Sequence, residues 1–285
     1  MDAPRLAPPL TGGDITKMAE RFIATHTGNC ISEHIAISSR SVGLKIFDQP
    51  LFAFGAPDDA LFVRLREPEV IGPHVLAPDE WLTGAQTVIA FFLPFTAAVR
   101  EANKKGMSWP AEEWLHARIE GQALLAALLV YLREVLTDRG YSSVAPQIDG
   151  RFCSRTEAGR DGESGIFTSN WSERHVAYIC GLGTFGLSRG LITEKGVAGR
   201  FGSLVTRLFV ERTQRPYTDL YAYCLHCGVC VGNCPARAIS IEKGKAHSPC
   251  AAFLDRTLQK HSPRYGCGKC QVKVPCEAKR PRVSP

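Results

Sequence analysis

Cys224-Leu-His-Cys227-Gly-Val-Cys230-Val-Gly-Asn-Cys234-Pro235 is the stretch on which the reading of this chain turns. Three cysteines at i, i+3 and i+6 on a tight loop can each meet a different iron of one cube. A fourth, followed by proline, is turned away toward a second centre. A tetrahedral zinc ion is better served by two C-x-x-C pairs on separate knuckles, and the interposed third cysteine suits it poorly. The spacing therefore points to iron and sulfur. One run is half a system, and the missing ligands lie downstream: Cys250, then Cys267-Gly-Lys-Cys270-Gln-Val-Lys-Val-Pro-Cys276. Eight cysteines make two sets of four. With the fourth cysteine crossing over, Cys224, Cys227, Cys230 and Cys276 hold one [4Fe–4S] cluster, and Cys234, Cys250, Cys267 and Cys270 hold the other. Five residues separate Cys276 from Cys270, a wider gap than two-cluster ferredoxins use.

Working outward, the chain has 285 residues, 45% of them apolar and 22% charged, which excludes collagen-like, mucin-like and wholly disordered classes. The longest apolar stretches, around Val88–Phe95 and Ala123–Leu132, are too short to span a bilayer. The start, MDAPRLAPPLTGG, has no hydrophobic signal core, so a cytoplasmic protein without membrane attachment is expected. In that reducing compartment, clustered cysteines read as metal ligands rather than disulfides. Residues 216–285 carry 11 Lys+Arg against 4 Asp+Glu, a balance of +7, while 1–215 carry 23 against 24, or −1, giving the net +6. A basic tail can mark nucleic-acid binding. Here it has an internal explanation, since thiolate-ligated cubes are anionic and want basic neighbours. Cys30, Cys153 and Cys180 read as small buried hydrophobes, and His226 as a solvated loop residue.

Along the chain, residues 1–13 read as a flexible arm. Asp14 is a candidate N-cap, and Ile15, Met18, Ala19, Phe22 and Ile23 follow it on one helical face. Residues 48–80 are loop-like, with five prolines. Thr87–Pro94 is a continuous apolar run ended by proline, hence a buried strand. Residues 112–138 form a helix with a broad apolar face, stopped by Gly140. A strand over 143–148, a polar Gly-rich loop to about 168, a helix over 171–180 and a strand over 202–210 follow. A boundary near 213–216 separates an α/β unit from the cysteine-rich tail.

With those residues in place, the sequence resembles the epoxyqueuosine reductases and, more distantly, the cobalamin-dependent reductive dehalogenases. The likeness runs from about Thr87 to Cys276. It rests on the strand Thr87–Pro94 and on Ser172-Glu-Arg-His-Val-Ala-Tyr-Ile-Cys-Gly-Leu-Gly-Thr-Phe-Gly186, similar to the family's E-R-x-x-A-x-x-A-G-L-G-x-x-G. Gly202-Ser-Leu-Val-Thr, the cysteine run, Cys250-Ala-Ala-Phe-Leu and Tyr265-Gly-Cys-Gly-Lys-Cys-Gln271 complete it. The resemblance implies an α+β chain: an N-terminal α/β domain (14–215), nitroreductase-like and cobalamin-binding-like, then a small ferredoxin-like domain (216–285) with two [4Fe–4S] clusters. It implies a base-off cobalamin reduced through the clusters, with Asp149 of Pro146-Gln-Ile-Asp149 as proton donor. Counting back from Glu173-Arg174, the donor position falls instead on Phe167; an insertion of about twenty residues would reconcile the two alignments. The sequence stops at Pro285, before the helical repeats of full-length epoxyqueuosine reductases, so part of their tRNA grip is expected to be missing.

Gly181-Leu-Gly183-Thr-Phe-Gly186 is a literal G-x-G-x-x-G. A dinucleotide site needs a strand before it and a helix after it. Here the preceding segment reads as helical, and Gly190, Gly196 and Gly199 break any following helix. A close-packed turn is expected; the resemblance places it near the corrin, which makes Gly181 and Gly183 cofactor-binding candidates. The resulting expectation is an iron–sulfur reductase, fed by a low-potential donor such as ferredoxin or flavodoxin and acting on a small-molecule or corrinoid substrate. The alternatives are a ferredoxin-type electron carrier without its own catalytic site, and a tRNA-modifying epoxyqueuosine reductase.

Overall fold

The computed structural model describes residues 10–157 and 166–282. In chain order, α1 (Gly12–Thr25) leads to β1 (Leu51–Gly55), the short helices α2 (Ala60–Arg64) and α3 (Pro78–Trp81), and β2 (Thr87–Pro94). Then come α4 (Ala97–Lys104), α5 (Glu112–Asp138), β3 (Ser143–Val144), and a hairpin of β4 (Ser154–Glu157) and β5 (Ile166–Ser169). Helix α6 (Glu173–Cys180), a second hairpin of β6 (Gly183–Phe185) and β7 (Leu191–Thr193), and β8 (Gly199–Thr206) follow. The tail adds α7 (Val229–Gly232), the pair β9 (Ile239–Ser240) and β10 (Gly244–Lys245), and α8 (His247–His261).

The central sheet has the order β1-β2-β8-β3, and every neighbour is antiparallel. All eight residues of β2 are buried. Side chains alternate across a strand: Ile89, Phe91 and Leu93 enter the core built with α1 and α5, and Val88, Ala90 and Phe92 enter the core built with α6. Both faces are covered by helices, which is why an antiparallel strand is apolar throughout. The architecture is thus mixed α and β with antiparallel sheets. No helix among the described residues is long and apolar enough to cross a membrane.

Several boundaries differ from the sequence reading. Residues 1–9 of the expected arm lie outside the described residues. Helix α1 begins at Gly12 because Thr11 is the N-cap: its Oγ1 accepts from the Asp14 N–H at 3.2 Å, while Asp14 Oδ2 accepts from the Thr11 N–H at 2.9 Å. Asp14 is the third residue of that capping box rather than the cap. The segment read as loop over 48–80 contains β1, paired along its length with β2. The expected strand over 143–148 stops at Val144, where Pro146 opens a 3₁₀ turn. The loop expected up to about 168 contains the β4–β5 hairpin, with residues 158–165 outside the described ones.

Strand β8 starts three residues earlier than expected. Its Gly199 and Gly202 lie under aromatic rings, where a Cβ would come within 2.5 Å of Phe92 and of Phe91. It pairs with β2 from Pro94↔Gly199 to Thr87↔Thr206. Helix α5 keeps its expected limits and runs for roughly 40 Å. Gly140, at φ +84°, turns the chain just beyond it.

The tail shares the core with the rest of the chain. Val272 is buried with the α1 and α5 residues, and Tyr217, Tyr223 and Val274 with the α6 residues. Arg264 pairs with Glu120 of α5 at 2.6 Å, and Arg100 and Lys104 of α4 pair with Glu277 at 3.3 and 2.8 Å.

Leu128 of α5 is fully buried in the first core. Leu128→Ala is expected to cost about 2–5 kcal/mol, measured as a lower urea midpoint with an unchanged m-value.

Candidate metal centre and the adjoining cleft

The loop carrying the first cysteine run is shaped by left-handed backbone. His226 (φ +49°) and Gly228 (φ +73°) wind the chain so that Cys224, Cys227 and Cys230 face one cavity, with Cys230 on the single turn of α7. His226 is exposed, as expected of a loop residue, and its ring lies 5.6 Å from Tyr221. Cys276 lines the same cavity. Cys234 is turned out of it. Its Sγ accepts from the Ala238 N–H at 3.3 Å, and its charge is felt with those of Cys250 and Cys270 at Cys267.

The eight tail thiols therefore form two quartets, one of Cys224, Cys227, Cys230 and Cys276, the other of Cys234, Cys250, Cys267 and Cys270. All eight are free of disulfides. The quartets adjoin, since Cys230 feels the charge of Cys270.

Burial, reinforced by neighbouring thiolates, pushes the thiols of Cys267 and Cys276 up to about 12 and that of Cys230 to about 11. Cys270 is raised by burial as well, with Lys245 pulling the other way. Lys245 in turn is pulled down by burial and lifted above its usual value by Cys270 and Cys250. Four enclosed thiolates cannot coexist without a cation among them. Each set consists of four cysteines, a donor set that suits an iron–sulfur cube.

The second quartet rests on α5. Gly268, between Cys267 and Cys270, has φ +64°, and a Cβ there would fall 1.9 Å from the Trp114 ring. Asn103 Nδ2 donates to the Cys267 carbonyl at 3.0 Å, and the buried Lys269 ammonium donates to the Asn103 carbonyl at 2.6 Å.

Beside this quartet three guanidiniums converge from three elements. Arg118 (α5) donates to the Tyr265 hydroxyl at 2.7 Å, Arg174 (α6) to the Arg189 carbonyl at 2.6 Å, and Arg200 (β8) to the Gln122 side-chain oxygen. Burial, with the positive charges of Arg118 and Arg174, brings Arg200 down to about 9. Arg174 is lowered by burial, against the pull of the Cys270 and Cys250 thiolates, yet keeps solvent contact. Among the described residues none of the three has a carboxylate partner. Without a carboxylate to neutralise them, the three form a cationic cluster suited to an anionic, oxygen-rich ligand. The sequence reading quoted Arg174 only as part of a motif and missed Arg118 and Arg200, which no local pattern marks.

Asp149 lies elsewhere. It caps the 3₁₀ turn after β3 and forms a two-pronged pair with Arg151 at 2.8 and 3.1 Å, which holds its carboxyl below the usual range. Its next positive neighbour is Arg133, fifteen residues from Arg118 along α5, or roughly 22 Å. As it stands, Asp149 is ionised and is not grouped with the cysteines. Phe167, the other aligned position, is exposed on β5 and stacks on His247 at 6.1 Å.

Gly181 ends α6 at φ +100°, and a Cβ on Gly183 would fall 2.0 Å from the Ile192 carbonyl. A strand rather than a helix follows them, which removes the dinucleotide reading. Gly186, at the end of the motif, is the one that stands beside Cys224, lining the same cavity. Cys180 is buried as expected, whereas Cys30 and Cys153 are exposed; both lie on irregular segments outside the two cores.

Glu173 was not singled out as a site residue. Its Oε2 accepts from Ser203 Oγ at 2.7 Å, its Oε1 is buried without a partner, and burial lifts its carboxyl from 4.5 to about 8.

No family model and no curated protein matches the chain. Solved structures do. A selenomethionine-labelled epoxyqueuosine reductase is 18% identical over 94% of this chain and 68% of its own, with a TM-score of 0.48. An epoxyqueuosine reductase bound to an epoxyqueuosine-modified tRNA stem loop is 17% identical over the same shares, also at 0.48. The catabolic reductive dehalogenase NpRdhA is 12% identical over 81% of this chain and 30% of its own, with a TM-score of 0.51. The structural neighbours are thus the two groups that the sequence resembles, and the likeness to NpRdhA is one of fold.

Two outcomes follow from this geometry. Gly268→Ala must move either the Trp114 ring or the cysteine loop; it should lower stability by about 2–4 kcal/mol and reduce bound iron, read by thermal unfolding and metal analysis. The folded state keeps a proton on Glu173 that the unfolded chain releases between pH 4.5 and about 8, so stability falls as pH rises through that window. Glu173→Gln should flatten the fall and leave the variant more stable than the parent near pH 8, as measured by denaturant unfolding across the window.

Proposed function

We propose that the chain is an iron–sulfur reductase. In this reading residues 216–285 carry two [4Fe–4S] clusters, one in each thiol quartet, and residues 14–215 provide the walls of an acceptor site. The supporting observation is the division of eight unbridged thiols into adjoining quartets, the second of which meets the arginine cluster: Cys230 senses Cys270, and Cys270 with Cys250 acts on Arg174. Electrons from a low-potential donor would enter the first quartet, pass to the second and leave toward the arginine cluster.

The arginine cluster suits the polar periphery of the cobalamin implied by the resemblance, because Arg118, Arg174 and Arg200 have no carboxylate partner and could donate to a phosphate and to amide carbonyls. Reduced cobalamin supplies a low-potential, strongly nucleophilic metal centre. The chain's own residues would bind and orient it and keep its reacting face from bulk water. The proton-donor role that the resemblance gives Asp149 requires its pair with Arg151 to open. The carrier alternative leaves the arginine cluster without a purpose. The tRNA-modifying alternative draws on the basic tail, and tRNA retention on filters at low salt but not at high salt would support it.

Cys227→Ala should lower bound iron from about eight to about four per chain and remove one of two reduced-cluster signals in low-temperature EPR. Cys180→Ala should leave iron unchanged. Full iron in the Cys227 variant, or zinc in the parent, would overturn the reading.

A further inference from the structure

The first quartet opens onto the surface, and the surroundings of that opening are specific. Its cavity shares Leu225, Pro275 and Pro281 with a cleft of about 1080 Å³ whose other walls include Lys279, Arg280 and Arg282. Arg280 lies 3.7 Å over the Tyr223 ring and pairs with Glu194 at 3.2 Å, so that one charge is partly spent. Lys279 and Arg282 have no such partner among the described residues and are exposed.

Around the same loop, large apolar side chains face water: Tyr221 at 38% exposure, Leu225 at 38%, Val229 at 37% and Ile241 at 46%. Ile241 belongs to this patch by contact, since its Cδ1 lies 3.1 Å from where a Cβ on Gly228 would be. Cys227, in the middle of the loop, is itself exposed. Exposed apolar groups scattered singly mean little, but an apolar patch with a polar, charged rim marks an interaction site. The second quartet has a different setting, packed against α5 and flanked by Lys245 and Arg174.

We propose that this surface docks a small acidic electron-carrier protein, which delivers electrons to the first quartet across the Leu225–Ile241 patch and is steered there by Lys279 and Arg282. The proposal rests on the cluster reading above and adds where the donor binds and why. Charge complementarity selects the occupant: the cleft's rim is net positive, with Lys279, Arg280 and Arg282 against Glu194, and the tail carries a balance of +7, while an apolar centre over the loop allows close, short-lived contact. In the transfer step one electron leaves the reduced carrier and one [4Fe–4S]²⁺ cluster takes it to the 1+ level; no bond forms or breaks.

The test uses the anaerobically reconstituted full chain and a plant-type [2Fe–2S] ferredoxin, reduced and freed of excess reductant, with its oxidation followed by stopped flow. The double variant Lys279→Glu, Arg282→Glu should retain its iron and be reduced by dithionite at the parent's rate. Its second-order rate with ferredoxin should fall by about tenfold or more at low ionic strength. The parent's rate should fall toward the variant's as salt rises. Equal ferredoxin rates for parent and variant, or a parent rate insensitive to salt, would overturn the docking site while leaving the clusters in place. Loss of tRNA retention in the variant with an unchanged ferredoxin rate would assign the surface to nucleic acid instead. A parent without iron, or with iron that dithionite cannot reduce, would sink the cluster reading and this proposal with it.

Discussion

Because neither face of β2 meets water, the chain must supply a helical layer for each side of it, and the placement of everything else follows. Odd-numbered side chains of the strand require α1 and α5 beneath them, and even-numbered ones require α6 above. Once α5 and α6 are fixed on opposite faces, Arg118, Arg174 and Arg200 come from a helix on one face, a helix on the other and the strand between. The tail then seats on α5 through Gly268 and on α4 through Glu277, so the cysteines inherit their positions from the same sheet.

The electrostatics carry the chemistry further than the packing does. Interior thiols that raise one another's proton affinity are stable when neutral or when a cation sits among them. The positive side chains nearest the second quartet, Lys245 and Arg174, lie where an anionic cluster would want them. The excess positive charge of the tail thus divides between two settings, one facing the cluster interior and the other, at Lys279 and Arg282, facing solvent. A net charge alone does not separate these roles; the fold does.

What could be read from the sequence follows from how locally each feature is encoded. Helix α5 and strand β2 were legible because long apolar runs with clear stops specify themselves. That Cys224, Cys227 and Cys230 face one cavity was legible because their spacing on a single loop is local. Strand β1 was obscured by flanking prolines, and the start of β8 by glycines whose reason is an aromatic ring on the neighbouring strand. The arginine cluster was invisible for a stronger reason: residues 118, 174 and 200 share no sequence neighbourhood, and only the fold brings them together. Asp149 shows the converse case. Its motif was readable, but its partner Arg151, two residues away, gives it a different charge state from the one its role would require.

The contrast between Cys227, open to solvent, and Cys270, enclosed against the body of the chain, has a bearing on handling. Molecular oxygen and peroxide attack sulfur and iron where they can reach them. The outer cube would therefore corrode before the inner one, and a preparation exposed briefly to air would consist largely of molecules that still hold one intact cube but can no longer be charged from outside.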